Sequence, residues 1–285
     1  MKIILHITIV LILIFGTLSC VSDPGDVDIP KFDQKLVIQT VISPGDSVIN
    51  AYLGYNYPAY GEIVKESILN AGVKLYLSDG KNEEMFIQNS DTFSLKLKSF
   101  QIIEGNSYSI RATDNKGHTI SAECIMPVAR NINMKIDTLT VVENSEYGTY
   151  SQLNVNTKFT DYKGEENYYI LQTGVQSYYF DTYYQTELSN TYFLSTNYIS
   201  DKSKDGLLFS ETTVINKDAY YADSLFIYVS IEQTTKDYYL FLKSLQNYSD
   251  GDDPFSEVVP VYTNIEGGLG IFGGFVTQTY NLRLK

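Results

Sequence analysis

The chain has 285 residues, 34 of them acidic and 21 basic, for a formal net charge of −13, with two cysteines, two histidines and no tryptophan. So acidic a body argues against nucleic acid and anionic lipid headgroups as partners, because holding phosphates takes clustered Lys and Arg. Two histidines and the lack of a Gly-x-Ser-x-Gly elbow leave histidine-rich zinc sites and serine hydrolase triads without their parts.

The first predicted element is a leader. Lys2 is followed by an apolar run over residues 3–15 and then by Gly16-Thr17-Leu18-Ser19-Cys20. A membrane-spanning helix needs ~20 apolar residues, and His6, Thr8, Gly16, Thr17 and Ser19 leave a shorter run. A cysteine directly after the small residue reads as the acylation site of a bacterial lipoprotein signal, with Thr17 standing where Leu is usual. Residues 1–19 are then removed, acyl chains on Cys20 anchor the chain, and the mature body carries a net −14. Residues 20–34, with Pro24, Pro30 and several aspartates, read as an acidic tether.

Strand signals follow. Residues 36–42 form a continuous apolar run, and 48–53 resume after the Pro44-Gly45-Asp46 turn. Val73, Leu75 and Leu77, then Phe93, Leu95 and Leu97, then Tyr108, Ile110 and Ala112 alternate with polar residues, and residues 119–125 follow an Asp114-Asn115-Lys116-Gly117 turn beside His118. Turns every eight to fifteen residues argue for an Ig-like or transthyretin-like β-sandwich over residues 35–128. Once Cys20 is acylated Cys124 is alone, and its place in the alternation Ile120, Ala122, Cys124 makes it a small buried hydrophobe.

Residues 129–285 read as a second β-rich domain. Strands are expected at 153–159, 168–173, 207–210, 225–231, 258–262 and 275–284, and residues 178–205 form a long, tyrosine-rich stretch without a strong period. The domain has one α-helix near 235–249. Tyr238, Phe241, Leu242, Leu245 and Tyr248 recur at helical spacing, with a capping start at Thr234 and Asp237 and a stop at Asp250-Gly251. The chain is therefore expected to be mainly β, with two parts.

Three features invite a chemical reading. Gly268-x-Gly270-x-x-Gly273 spells a dinucleotide fingerprint, but the chain ends 12 residues later, too soon for the βαβ unit that motif serves. The glycines are expected to allow a tight turn, a bulge or close backbone packing, and no cofactor is called for. Asp250-Gly251-Asp252-Asp253 offers carboxylates to calcium without EF-hand spacing, and a solvated loop is the default. Tyr178, Tyr179, Tyr183, Tyr184, Tyr192 and Tyr198 crowd the irregular stretch; they either pack a sheet or offer flat amphipathic rings to a sugar or peptide.

As a whole the residues resemble one family. Cys20 with its acidic tether, Gly72-Val73-Lys74-Leu75, Gly105-x-x-Tyr108-x-Ile110, the strand exit from Ala122 to Pro127, Asp253-Pro254-Phe255 and the run from Thr263 to Gly274 together look like the Bacteroidota lipoprotein family known as domain of unknown function 4249. The resemblance brings no catalytic residues. It implies an outer-membrane, lipid-anchored protein on the periplasmic or cell-surface face, encoded beside a TonB-dependent receptor. Such a protein would be a non-catalytic accessory that captures or presents a ligand for uptake. An adhesin or scaffold on the cell surface is the alternative, and a carboxylate-dependent glycosidase the third reading.

Overall fold

The computed structural model describes residues 32–58, 67–145, 148–181, 186–216, 223–248 and 260–284. The leader with its Cys20, Tyr183, Tyr184 and the Asp250–Asp253 loop lie outside these residues. The chain divides into two compact units, Met1–Asp33 and Gln34–Lys285. In the first, Phe32 and Asp33 are described and both are exposed. The second is built almost entirely of strands.

In its N-terminal half, β1 (Leu36–Ile42), β2 (Val48–Tyr55), β3 (Lys74–Ser78), β4 (Glu83–Met85), β5 (Ile87–Asn89), β6 (Thr92–Lys96), β7 (Ser107–Thr113) and β8 (Thr119–Ile125) form two stacked sheets. Alternation decides which side chains meet: Leu36, Ile38 and Ile42 of β1 and Ile49, Ala51 and Leu53 of β2 turn one way. They close on Leu75, Leu77, Tyr108, Ile110, Ile120 and Cys124 of the facing sheet. Each large apolar side chain so buried stabilises the fold by about 1.5–3 kcal/mol.

The C-terminal half adds β9 (Met134–Ser145), β10 (Gly148–Thr160), β11 (Tyr168–Asp181), β12 (Thr186–Ser200), β13 (Leu208–Ile215), β14 (Ser224–Thr234), helix α1 (Lys236–Asn247) and β15 (Leu269–Arg283). A three-stranded sheet, β13-β10-β9, faces β11 and β14 across a second core of Val155, Phe159, Tyr169, Leu171, Ile227, Val229 and Ile231. Phe159 meets Tyr169 edge-on at 5.2 Å and stacks on Phe209 at 5.3 Å.

One strand belongs to both halves. The first part of β15 runs parallel to β1, from Leu269 beside Val37 to Gly274 beside Ile42, and the second pairs antiparallel with β14 from Phe275 to Arg283. The result is one eight-stranded sheet, β12-β11-β14-β15-β1-β2-β6-β5. The glycines of the fingerprint-like motif lie inside this strand, where close packing is the reason for them. At Gly270, φ is +111° and a Cβ would overlap the Ile38 carbonyl oxygen. At Gly273 a Cβ would press on Tyr238 of α1.

Three expectations change. Residues 178–181 and 186–200 are not irregular: they are the end of β11 and all of β12, which pair antiparallel with a bulge at Thr173/Gly174. Their period is blurred because β12 is a sheet edge whose residues 189–194 are exposed whichever face they take. The helix is capped by Thr235 rather than Thr234, its hydroxyl accepting from the Tyr238 amide, and it ends at Asn247. Residues 260–262 pair with no strand; instead the Tyr262 amide donates to Ser244 Oγ and its hydroxyl to Asp237.

Candidate functional site

Alternation along β11 sends Val175 and Ser177 into the second core and Gln176, Tyr178 and Phe180 to the opposite, outer face. Register supplies the rest of that face. Phe226 of β14 lies beside Gln176, Ser224 beside Tyr178, and both Tyr228 of β14 and Phe193 of β12 lie beside Gly174. Because Gly174 has no side chain, Phe193 and Tyr228 meet edge-on across it, with ring centroids 5.9 Å apart. Tyr178 meets Phe226 in the same manner at 5.5 Å.

Tyr178 and Phe226 floor an open concavity of about 360 Å³ whose polar lining is Gln176, Asp223, Ser224 and Asn281. Asp223 fixes its rim: the Asp223 amide donates to the Tyr178 carbonyl at 2.8 Å, and the carboxylate accepts from the Phe180 amide at 2.9 Å. The predicted tyrosines therefore separate. Tyr178 is in the floor and Tyr179 reaches the lining from the next position. Tyr192, opposite Val175, is on the other face and 44% exposed. Tyr198 shares the outer face but lies farther along it, beside Tyr239 of α1. Phe226 and Asn281 were not among the sequence candidates, since only strand register brings them to the Tyr178 side of the sheet.

Under α1 the same face carries Glu232, between Ile170 of β11 and Thr277 of β15. Burial pushes its carboxyl up to about 7. Burial, with the Glu232 charge second, also raises the phenols of Tyr198 and Tyr238, the latter to about 12.

A second cluster joins the β10–β11 and β12–β13 loops, each of which crosses between the two sheets of the second core. Asp161 and Asp201 are buried, Asp205 is exposed, and one carboxylate oxygen from each lies within 4.8 Å of the others. Asp161 accepts from the Tyr169 hydroxyl at 2.6 Å and the Gly206 amide at 2.8 Å, while Asp205 accepts from the Gly164 amide at 2.7 Å. Burial raises the Asp201 carboxyl, with the charges of Asp161 and Asp205 adding to it. The set offers three of the six to eight oxygens calcium takes, and both oxygens of Asp161 already serve to tie the loops together. Forty residues separate Asp161 from Asp201, so no local motif announced them.

A cleft of about 510 Å³ opens where β8 leaves the first core, beside the first turn of α1. Glu165 and Glu166 line it, paired with Arg130 and Lys236. The hydrogen bond from Tyr168, then that from Lys236, holds the Glu166 carboxyl below the usual range, opposite to what a glycosidase general acid needs. Cys124, at its wall, is buried, and desolvation followed by the Asp237 charge pushes its thiol up to about 12, where it is inert.

His118 receives a partner the sequence did not show. Asp114, with no exposed side-chain surface, accepts from the Tyr55 hydroxyl at 2.7 Å and lies 2.6 Å from His118 Nδ1. Among the described residues no hydrogen bond brings a serine or cysteine to the ring, so the pair serves the turn.

Among solved structures the chain is similar to a DUF3823 family protein from Parabacteroides merdae, with 15% identity and a TM-score of 0.21, covering 70% of this chain and 90% of that one. No curated protein matches it. The model for a domain of unknown function, DUF4249, matches residues 22–281, and with nearly the whole body covered the chain belongs to that family.

Proposed function

We propose that the protein is a Bacteroidota outer-membrane lipoprotein, anchored through acylated Cys20, that binds a ligand or partner as a non-catalytic accessory of a TonB-dependent uptake complex. The observation that carries this reading is the leader: a short apolar run broken by polar residues and ending in a small residue followed by cysteine. Two or more acyl chains on one residue give stable anchoring, whereas a single chain leaves binding marginal. The outer-face concavity is where the ligand would be held, because its rings stand on strands fixed from both sides rather than on a loop.

Metabolic labelling of growing cells with an alkyne fatty acid, followed by purification from membranes, tests both parts. The wild-type chain is expected to carry label and to bring a receptor with it, and Cys20→Ala is expected to lose the label. A labelled protein that never co-purifies with a receptor would leave it a scaffold or adhesin, and an unlabelled wild type would remove the anchor.

A further inference from the structure

We propose that the concavity floored by Tyr178 and Phe226 binds a neutral saccharide, a substrate class that rests on the ligand-binding reading above. A sugar ring has an apolar C–H face and a rim of hydroxyls that both donate and accept. The outer face offers the complement of each. Tyr178, Phe180 and Phe226 provide apolar ring surface, with Phe180 50% exposed at the edge. Gln176 and Asn281 carry amides that donate and accept, Asp223 accepts, and Ser224 does both. The volume of about 360 Å³ is at the lower end of small-molecule sites and suits one or two sugar units.

A peptide is the weaker fit. Extended peptides are recognised chiefly by adding a strand to a sheet edge, and the floor of this concavity is made by β11 and β14, whose neighbours on both sides are already paired. An acidic ligand is disfavoured by Asp223 in the lining and by the −13 charge of the chain. Arg283 enters this face beside Phe226 but does not line the concavity.

The test uses the full chain in a detergent without a sugar head group, applied to an array of neutral gluco-, xylo-, manno- and galacto-oligosaccharides of two to six units. Binding to at least one series is expected. Tyr178→Ala and Phe226→Ala should each weaken it about three- to tenfold, the order one aromatic contact is worth. Tyr192→Ala, on the opposite face, should leave it unchanged. Because the chain has no tryptophan, Phe180→Trp provides a lone indole at the edge, excited beyond the absorption of the 25 tyrosines, and its emission should shift as the bound sugar is titrated in. Should either alanine variant fold poorly, the Phe180→Trp protein still decides the matter. An array without binding overturns the proposal, as does a sugar that leaves the tryptophan emission unchanged or that Tyr192→Ala weakens as much as Tyr178→Ala. Receptor co-purification is scored separately, so a receptor found without a sugar refutes only the saccharide, and a sugar found without a receptor refutes only the uptake complex.

Discussion

Replacing Glu232 with glutamine tests how the fold treats the face under its helix. Glu232 is partly buried between β11, β15 and α1, with Tyr198 and Tyr238 facing it, Lys243 over the Tyr198 ring at 5.9 Å, and no hydrogen bond to its carboxyl among the described residues. Its carboxyl rises from 4.5 to about 7 on folding. Below pH 4.5 the folded and unfolded chains are both protonated and the residue contributes nothing to pH dependence. Between the two values only the folded chain holds the proton, so stability falls as pH rises, and above 7 the whole cost is present. The shift corresponds to roughly 3 kcal/mol, reduced to roughly 2 for the part that water reaches. Glu232→Gln should therefore gain roughly 2 kcal/mol at pH 8 and almost nothing at pH 4.5. Urea unfolding followed by circular dichroism at both pH values would show it as a midpoint roughly 0.5 M higher at pH 8 alone, since m is large for a body of this size. An equal gain at both pH values, or none at pH 8, would refute the reasoning.

Gly270→Ala would place a methyl group against the Ile38 carbonyl at a positive φ, and the expected loss exceeds about 4 kcal/mol, read as a large drop in melting temperature or as insoluble protein. Asp114→Asn removes the acceptor of the Tyr55 and His118 bonds and should cost about 2–4 kcal/mol by urea unfolding near neutral pH. Burial raises the Asp114 carboxyl, but the bonds from His118 and Tyr55 outweigh it and leave the group below its usual 3.8. Its stabilisation is present above that value and lost as pH falls through the lower folded one, so the difference between wild type and variant should shrink on acidification.

Strands with a clean buried face could be read directly: β1 spans the residues of its apolar run and β8 those of its alternation. The reading failed where burial is not periodic. β12 is an edge with exposure on both sides, and residues 134–145, now β9, carry Leu139 and Val142 outward at 59% and 61% exposure. The site was half legible for a related reason. Tyrosine density pointed to residues near 178, whereas Phe226 and Asn281 come to it through pairings between β11, β14 and β15 that no local pattern encodes. Of the tight turn, bulge or close packing expected of the motif glycines before the last strand, the structure shows close packing, and within the strand itself.

The double allegiance of β15 dictates an order of events. Val37 pairs with Leu269, so β1 gains its parallel neighbour only after more than 230 residues of intervening chain have been made. Such a distant pairing is slow to find, and an emerging chain must keep the flank of β1 unsealed until the last strand arrives. Until then that flank is an exposed edge available to chaperones or to a second unfinished chain. Once β15 docks, it closes the first sandwich and extends the second in one step, so β15 acts as a latch.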